Sequence, residues 1–197
     1  FTIEAEGQSD GAIRGMFTRS FKRTWDRRME EEIRKISPDI EILEMTYSAP
    51  YNYQEENMQI KVKYRIPDYA IVTENEIIFT PVVAKELFTS ANYHLHFNPD
   101  MEERKYGFRD RCSRLVELNE TIQLPEIEKA IYIPEAAKID GASASFEGGY
   151  QLDGNTLKLK EKIVFEKRKY QADEWENFRN AVKSQKKLAT EQVILKR

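Results

Sequence analysis

The run Tyr150-Gln-Leu152-Asp153-Gly154-Asn155-Thr156-Leu157-Lys-Leu159 decides how this chain is read. Apolar residues alternate on both sides of a Gly-Asn pair, which predicts two strands joined by a two-residue turn. A turn with glycine first suits type II′ geometry. Pairing outward from Gly154-Asn155 sets Leu152 opposite Leu157, Tyr150 opposite Leu159 and Phe146 opposite Ile163. It also sets Gly148 opposite Glu161, the smallest residue against the one polar residue on that face. Moving the turn to Asp153-Gly154 would put Leu152 against Asn155 and Phe146 against Glu161, so the first register is expected.

The hairpin continues as a charged strand to Tyr170. A helix over about 172–188 then begins with Asp173, Glu174 and Glu176 and ends with Lys183, Lys186 and Lys187, charges that oppose the helix dipole. Trp175, Phe178 and Val182 form its buried stripe, and Val193, Ile194 and Leu195 make a closing strand.

Toward the amino terminus, Phe1, Ile3 and Ala5 alternate with polar residues and predict an opening strand. Gly7 to Gly11 is turn chemistry. Ile13, Met16, Phe17 and Phe21 share one helical face, and Trp25, Met29, Ile33 and Ile36 another. The offset of the two stripes predicts helical segments over about 12–36 with a break near Lys22 to Thr24, stopped by Ser37-Pro38. Leu43, Met45 and Tyr47 alternate as a strand, and Tyr47 to Asn57 reads as a loop. Met58, Ile60, Val62, Tyr64 and Ile66 give the clearest one-sided strand in the chain, which favours antiparallel pairing. A hairpin follows around Thr73 to Asn75, then a short helix or irregular edge over Val82 to Phe88. His94 and His96 fall in an expected strand. Further strands are expected from Tyr106 to Val116, from Thr121 to Leu124 after a turn at Asn119-Glu120, and from Ala130 to Ile133. This pattern predicts a mainly β (α+β) fold, an antiparallel β-sandwich with helices at each end of the chain. The whole of 1–197 is expected as one region, with Asn98-Pro99-Asp100 as a boundary between two lobes, 1–97 and 98–197.

The 197 residues carry a net charge of -3, which gives no case for attraction to nucleic acid or an anionic membrane surface. No apolar run approaches the roughly 20 residues of a membrane span. The single cysteine rules out an internal disulfide. The chain opens directly on a strand pattern, with neither initiator Met nor signal peptide, so it is expected to be a piece of a longer protein.

Candidate chemistry is sparse. Arg14, Arg19, Lys22, Arg23, Arg27 and Arg28 would suit a phosphate-binding face, but no stacking aromatics interleave with them, so a solvated helix face is expected. Tyr47, Tyr51 and Tyr53 suit stacking on a sugar ring or clamping of a peptide, or else they cover the end of a sheet. His94 and His96, two apart in a strand, would face one way and supply two metal ligands, too few for a site. Cys112 lies between Arg111 and Ser113 in an expected strand, without the base and helix start that favour a reactive thiolate. There is no phosphate loop, serine elbow or metal-binding helix motif, so no cofactor is expected.

As a whole, the pattern resembles a known family. The matching residues are Glu120 to Pro125, Ile133-Pro134, Ser145-Phe146, Gly154 to Leu157, Phe165 to Tyr170, Trp175 to Val182, and Val193 to Leu195. They are similar to the β-rich domain of unknown function that follows the transglutaminase-like core in secreted or cell-envelope proteins of Gram-negative bacteria. The amino-terminal half, with its strand, Gly-containing turn, helix bearing Arg14, second helix and Asn57-to-Pro67 segment, is similar to the stretch just after that core. The resemblance implies that the reactive Cys, His and Asp belong to an upstream core in the same polypeptide. Here His94 and His96 precede Cys112, and Cys112 lacks the expected helix start and neighbouring Trp, so the triad carries over to no residue of this chain. The implied role is a non-catalytic accessory domain, secreted, periplasmic or in the cell envelope. It would pack on the core or help bind its substrate. A glycan- or peptide-binding module using the tyrosine loop is one alternative, and a cysteine hydrolase built on Cys112 is a second.

Overall fold

A computed structural model describes residues 1–82, 88, 89, 91–111 and 113–197. In chain order the elements are β1 (Thr2–Glu6), α1 (Gly7–Thr18), α2 (Trp25–Ile33), β2 (Glu41–Tyr47), β3 (Met58–Arg65), β4 (Ile71–Val72) and β5 (Glu76–Phe79). Then come β6 (Phe108–Arg109), β7 (Arg114–Gln123), β8 (Lys129–Tyr132), β9 (Ala137–Ile139), β10 (Ala144–Asp153) and β11 (Thr156–Phe165). The chain finishes with β12 (Lys169–Tyr170), α3 (Trp175–Thr190) and β13 (Val193–Lys196).

The β10–β11 hairpin has the expected register, with Leu152 opposite Leu157, Tyr150 opposite Leu159, Gly148 opposite Glu161 and Phe146 opposite Ile163. Asp153 and Thr156 close a two-residue turn in which Gly154 has φ +54 and Asn155 stays negative, as type II′ geometry requires. This hairpin is part of a seven-stranded sheet ordered β2-β3-β1-β7-β11-β10-β9. A four-stranded sheet runs β4-β5-β13-β8, and a two-stranded ribbon joins β12 to β6. Every pairing is antiparallel. Strands from 1–97 and from 98–197 share both sheets, meeting where β1 pairs with β7 and where β5 pairs with β13.

The sandwich expectation needs correction at the second layer. Both sheets are open, and the large one is covered chiefly by helices. Across its inner face run Met58, Ala5, Val116, Ile163 and Phe146, register neighbours on five adjacent strands, all buried. Against them pack Ile13 and Phe17 of α1, Trp25, Met29 and Ile33 of α2, and Trp175, Phe178 and Val182 of α3. Three amphipathic helices each need an apolar surface, and one sheet face supplies it. The opposite face stays wet, as Lys158, Lys160 and Lys162 alternate outward along β11. The small sheet covers only the turn end of the inner face. Ile77, Phe79, Val193 and Leu195 meet Leu157 there.

Smaller corrections have local causes. The helix starts at Gly7, not after Gly11, because Gly7 takes φ +60 and turns the chain straight from β1 into α1. The break falls where expected, at a 3-10 turn over Lys22–Thr24. A bulge between Ile42 and Glu44 throws Leu43 into solvent, so it does not share a face with Met45 and Tyr47. Asn119-Glu120 is not a turn, since β1 and β11 flank β7 and hold it straight through those residues. The strand expected from Tyr106 is interrupted. Phe108 and Arg109 pair with β12, and β7 begins only at Arg114. The expectation for Val82 to Phe88 falls mostly outside the described residues.

Candidate functional site

Helix α1 places Arg14 beneath the tyrosine loop. Its Nε donates to Asp10 at 2.8 Å, one Nη donates to the carbonyls of Ala49 and Pro50 at 3.1 and 3.3 Å, and the other to that of Glu56 at 2.5 Å. Asp10 in turn accepts from the N–H of Met58 at 2.7 Å. Arg14 is therefore a buried latch on loop 48–57. Arg19, Lys22, Arg23, Arg27 and Arg28 lie in solvent. A guanidinium suits the latch because it offers several donors in a fixed plane to carbonyls that have no strand partner.

The three tyrosines of that region differ in availability. Tyr47 packs its ring on Phe17 and donates its hydroxyl to Asp26 at 2.5 Å. Burial, together with the Asp26 carboxylate, pushes its pKa up to about 12. Tyr51 is 61% exposed and rests one side on Trp25, at 5.7 Å between ring centroids. Tyr53 is 68% exposed. Two free aromatic surfaces thus stand on a latched loop, and the third tyrosine is structural.

The histidines do not form a pair. They occupy a 3-10 turn, Tyr93–His96, not a strand, and three residues per turn send positions two apart in different directions. His96 is exposed, while His94 is fully buried against Phe165. His94 Nε2 lies 2.6 Å from Gln185 Oε1. A carbonyl oxygen can only accept, so Nε2 carries the proton. Burial lowers the His94 pKa to about 3, overcoming the opposing Gln185 bond, with Arg114 adding to the depression. Among the described residues, no group of three or more His, Cys, Asp or Glu side chains gathers to hold a metal.

Gln185 also faces Glu161. This carboxylate is buried on the inner face of β11, and neither oxygen has a hydrogen-bond partner among the described residues. Burial raises its pKa to about 7, against the opposing pull of the nearby Gln185 amide and with the Glu120 carboxylate pushing it further up. Glu120 accepts a hydrogen bond from Tyr64. The buried polar line from His94 to Glu161 was not expected as a unit. Its one sequence signal is Glu161 itself, a carboxylate in the apolar phase of Leu157, Leu159, Ile163 and Phe165.

Cys112 lies outside the described residues. The arginines beside it are engaged elsewhere. Arg111 stacks 4.0 Å from the Tyr93 ring centre, and Arg114 forms a fully buried ion pair with Asp110 at 2.6 Å.

The family model for DUF3858, a domain of unknown function with solved structures, matches residues 75–195, more than half of the chain. The chain belongs to the DUF3858 family. The match runs from β5 to β13, so the DUF3858 pattern includes the pairing of these two strands and both arms of the hairpin. No curated protein matches the sequence. Among solved structures, the DUF3858 chain is similar to the crystal structure of a "putative protease" from Parabacteroides distasonis, with a TM-score of 0.51 and 13% identity. The likeness covers 64% of this chain and 24% of the other, a similarity of fold. The chain thus spans about a quarter of that protein's length.

Proposed function

We propose that this DUF3858 chain is a non-catalytic accessory domain of a transglutaminase-like protein of cysteine-protease fold. It packs on the core or helps present substrate to it. The observation that carries the reading is the likeness to 24% of a much longer protein described as a protease, which leaves most of that protein for a separate core. The state of His94 supports it. An imidazole sealed against Phe165, bonded to Gln185 and held neutral is positioned as core filling, not as a base. A secreted, periplasmic or cell-envelope location follows from the family resemblance. No helix among the described residues is long and apolar enough to cross a membrane. The coding sequence upstream of Phe1 tests the proposal. A cysteine at a helix start with downstream His and Asp is expected there, and deleting 1–197 from the full protein should change substrate affinity or stability without removing the nucleophile. An upstream sequence lacking that set, or a purified 1–197 with thiol-dependent hydrolysis of its own, overturns it.

A second reading rests on Tyr51 and Tyr53, whose exposed rings stand on a loop fixed by Arg14. Such a platform suits a sugar ring or an extended peptide. Cell-wall glycan and peptide arrays would test it, with binding lost in Tyr51→Ala and Tyr53→Ala.

A further inference from the structure

Strand β1 lies between β3 and β7 but stops short of both. Phe1 pairs with Val62, donating to its carbonyl at 2.7 Å and accepting from its N–H at 2.9 Å. Thr2 stands opposite Lys61 on one side and Asn119 on the other. Past this point β3 continues to Arg65 and β7 to Gln123, with no strand between them among the described residues. The gap is two strand spacings wide, roughly 9–10 Å. It forms a cleft of about 720 Å³ walled by Tyr64, Ile66, Ile122 and Leu124 and floored by Ile77 and Phe79.

The backbone on both walls points into this slot. Hydrogen bonding alternates along a strand. Val62 bonds to Phe1, so Tyr64 turns its N–H and C=O into the slot, while Lys63 faces Glu44 of β2. On the other wall the Leu124 N–H donates to Asn155 at 2.8 Å, so Thr121 and Gln123 are the residues that face the slot. Unpaired strand edges are ordinarily shielded or shortened. Here two of them confront each other at the spacing of one missing strand, in line with β1.

We propose that the residues immediately upstream of Phe1 in the full polypeptide continue β1 through this slot, antiparallel to both β3 and β7. The inference rests on the reading above, that the chain is one domain of a longer protein. The established pairing fixes the register. The first residue upstream stands between Lys63 and Thr121 on the wet face, and the third between Arg65 and Gln123. The second lies between Tyr64 and Ile122 on the inner face, and the fourth between Ile66 and Leu124. The occupant is therefore a segment with apolar second and fourth residues and polar first and third residues. The connection to the core is stitched into the sheet, so the two parts are held in a fixed relation and not on a loose tether.

Amide hydrogen exchange tests this on two proteins, one beginning at Phe1 and one extended upstream by roughly eight residues, a strand's length with margin. The amides of Tyr64, Thr121 and Gln123 should exchange about a hundredfold more slowly in the longer protein. An Asp at the second upstream position should restore fast exchange, and an Asp at the first should not. Equal exchange in the two proteins overturns the inference while leaving the accessory-domain reading intact. Protection conferred only by a separate peptide, or lost equally with either Asp, also overturns it. A coding sequence that starts at Phe1 overturns both together.

Discussion

Glu161 and His94 sit at either side of Gln185, and their preferences set opposite slopes on stability. Glu161 has its pKa raised from 4.5 to about 7 in the folded protein. The unfolded chain thus releases that proton first, and stability falls as pH rises through this interval. His94 has its pKa lowered from 6.5 to about 3, so the unfolded chain takes up that proton first and stability falls as pH drops through that interval. Between about pH 4.5 and 6.5 the two slopes cancel, giving a plateau with a decline on each side. Urea unfolding from pH 3 to 9 would reveal it, and a maximum at pH 8 would contradict it. Glu161→Gln removes the alkaline decline. Relative to the parent, this variant should gain about 1–3 kcal/mol on going from pH 4.5 to 8. Arg14 makes a separate case at this scale. Arg14→Leu leaves the carbonyls of Pro50 and Glu56 without their donor and the part-buried Asp10 carboxylate without its charge partner. It should cost about 2–4 kcal/mol in denaturant unfolding and speed exchange throughout residues 48–57.

At the scale of elements, the hairpin shows what a period of two can and cannot reveal. Register and turn were legible because side-chain alternation and Gly154 point to one solution, and the pairing of Gly148 with Glu161 came with them. The reason for Gly148 was not legible. A Cβ there would lie 2.6 Å from Cζ of Phe146 and 2.7 Å from Cδ2 of Leu188, so the missing side chain makes room for α3 and an aromatic ring, not for the carboxylate. Gly148→Ala should therefore cost about 1–3 kcal/mol by overpacking. Gly154→Ala, with open space around it but φ +54, should cost about 1 kcal/mol from backbone strain alone. Thermal unfolding of the two variants separates these causes, and equal losses would contradict them. The helical stripes were likewise readable from spacing. Their shared destination was not, because nothing in a local period says which faces meet. The same limit hid Arg14, whose three carbonyl partners lie 35 to 42 residues away, and it put His94 in a strand.

For the whole molecule, chain order and spatial order diverge. The opening strand β1 is an interior strand of the large sheet, and the closing strand β13 is an interior strand of the small one. Asn98-Pro99-Asp100 reads as a boundary by composition, yet each sheet joins a block of strands before it, β2-β3-β1 or β4-β5, to a block after it, β7-β11-β10-β9 or β13-β8. The mainly β character was legible from alternation, but which strands run on through an expected turn, as β7 does through Asn119-Glu120, and what forms the second layer were not, since long-range pairing leaves no local mark. Sharing of both sheets has a direct consequence for folding. The fragment 1–97 lacks β7 and β13, so β1 and β5 each lose a partner, and the fragment 98–197 lacks the same contacts from the other side. The core cluster that joins Ile3, Met58, Val116, Phe146 and Phe178 is divided between them. Neither fragment should fold alone, because the apolar area left to each cannot offset the entropy of ordering it. Mixing the two should restore the native pairings. Separately expressed, 1–97 and 98–197 are expected to show disordered far-UV circular dichroism, with a native spectrum and cooperative melting appearing only in an equimolar mixture. A cooperative melt from either fragment by itself would mean that its half of the core suffices, and that the shared sheets are a docking of two domains and not one fold.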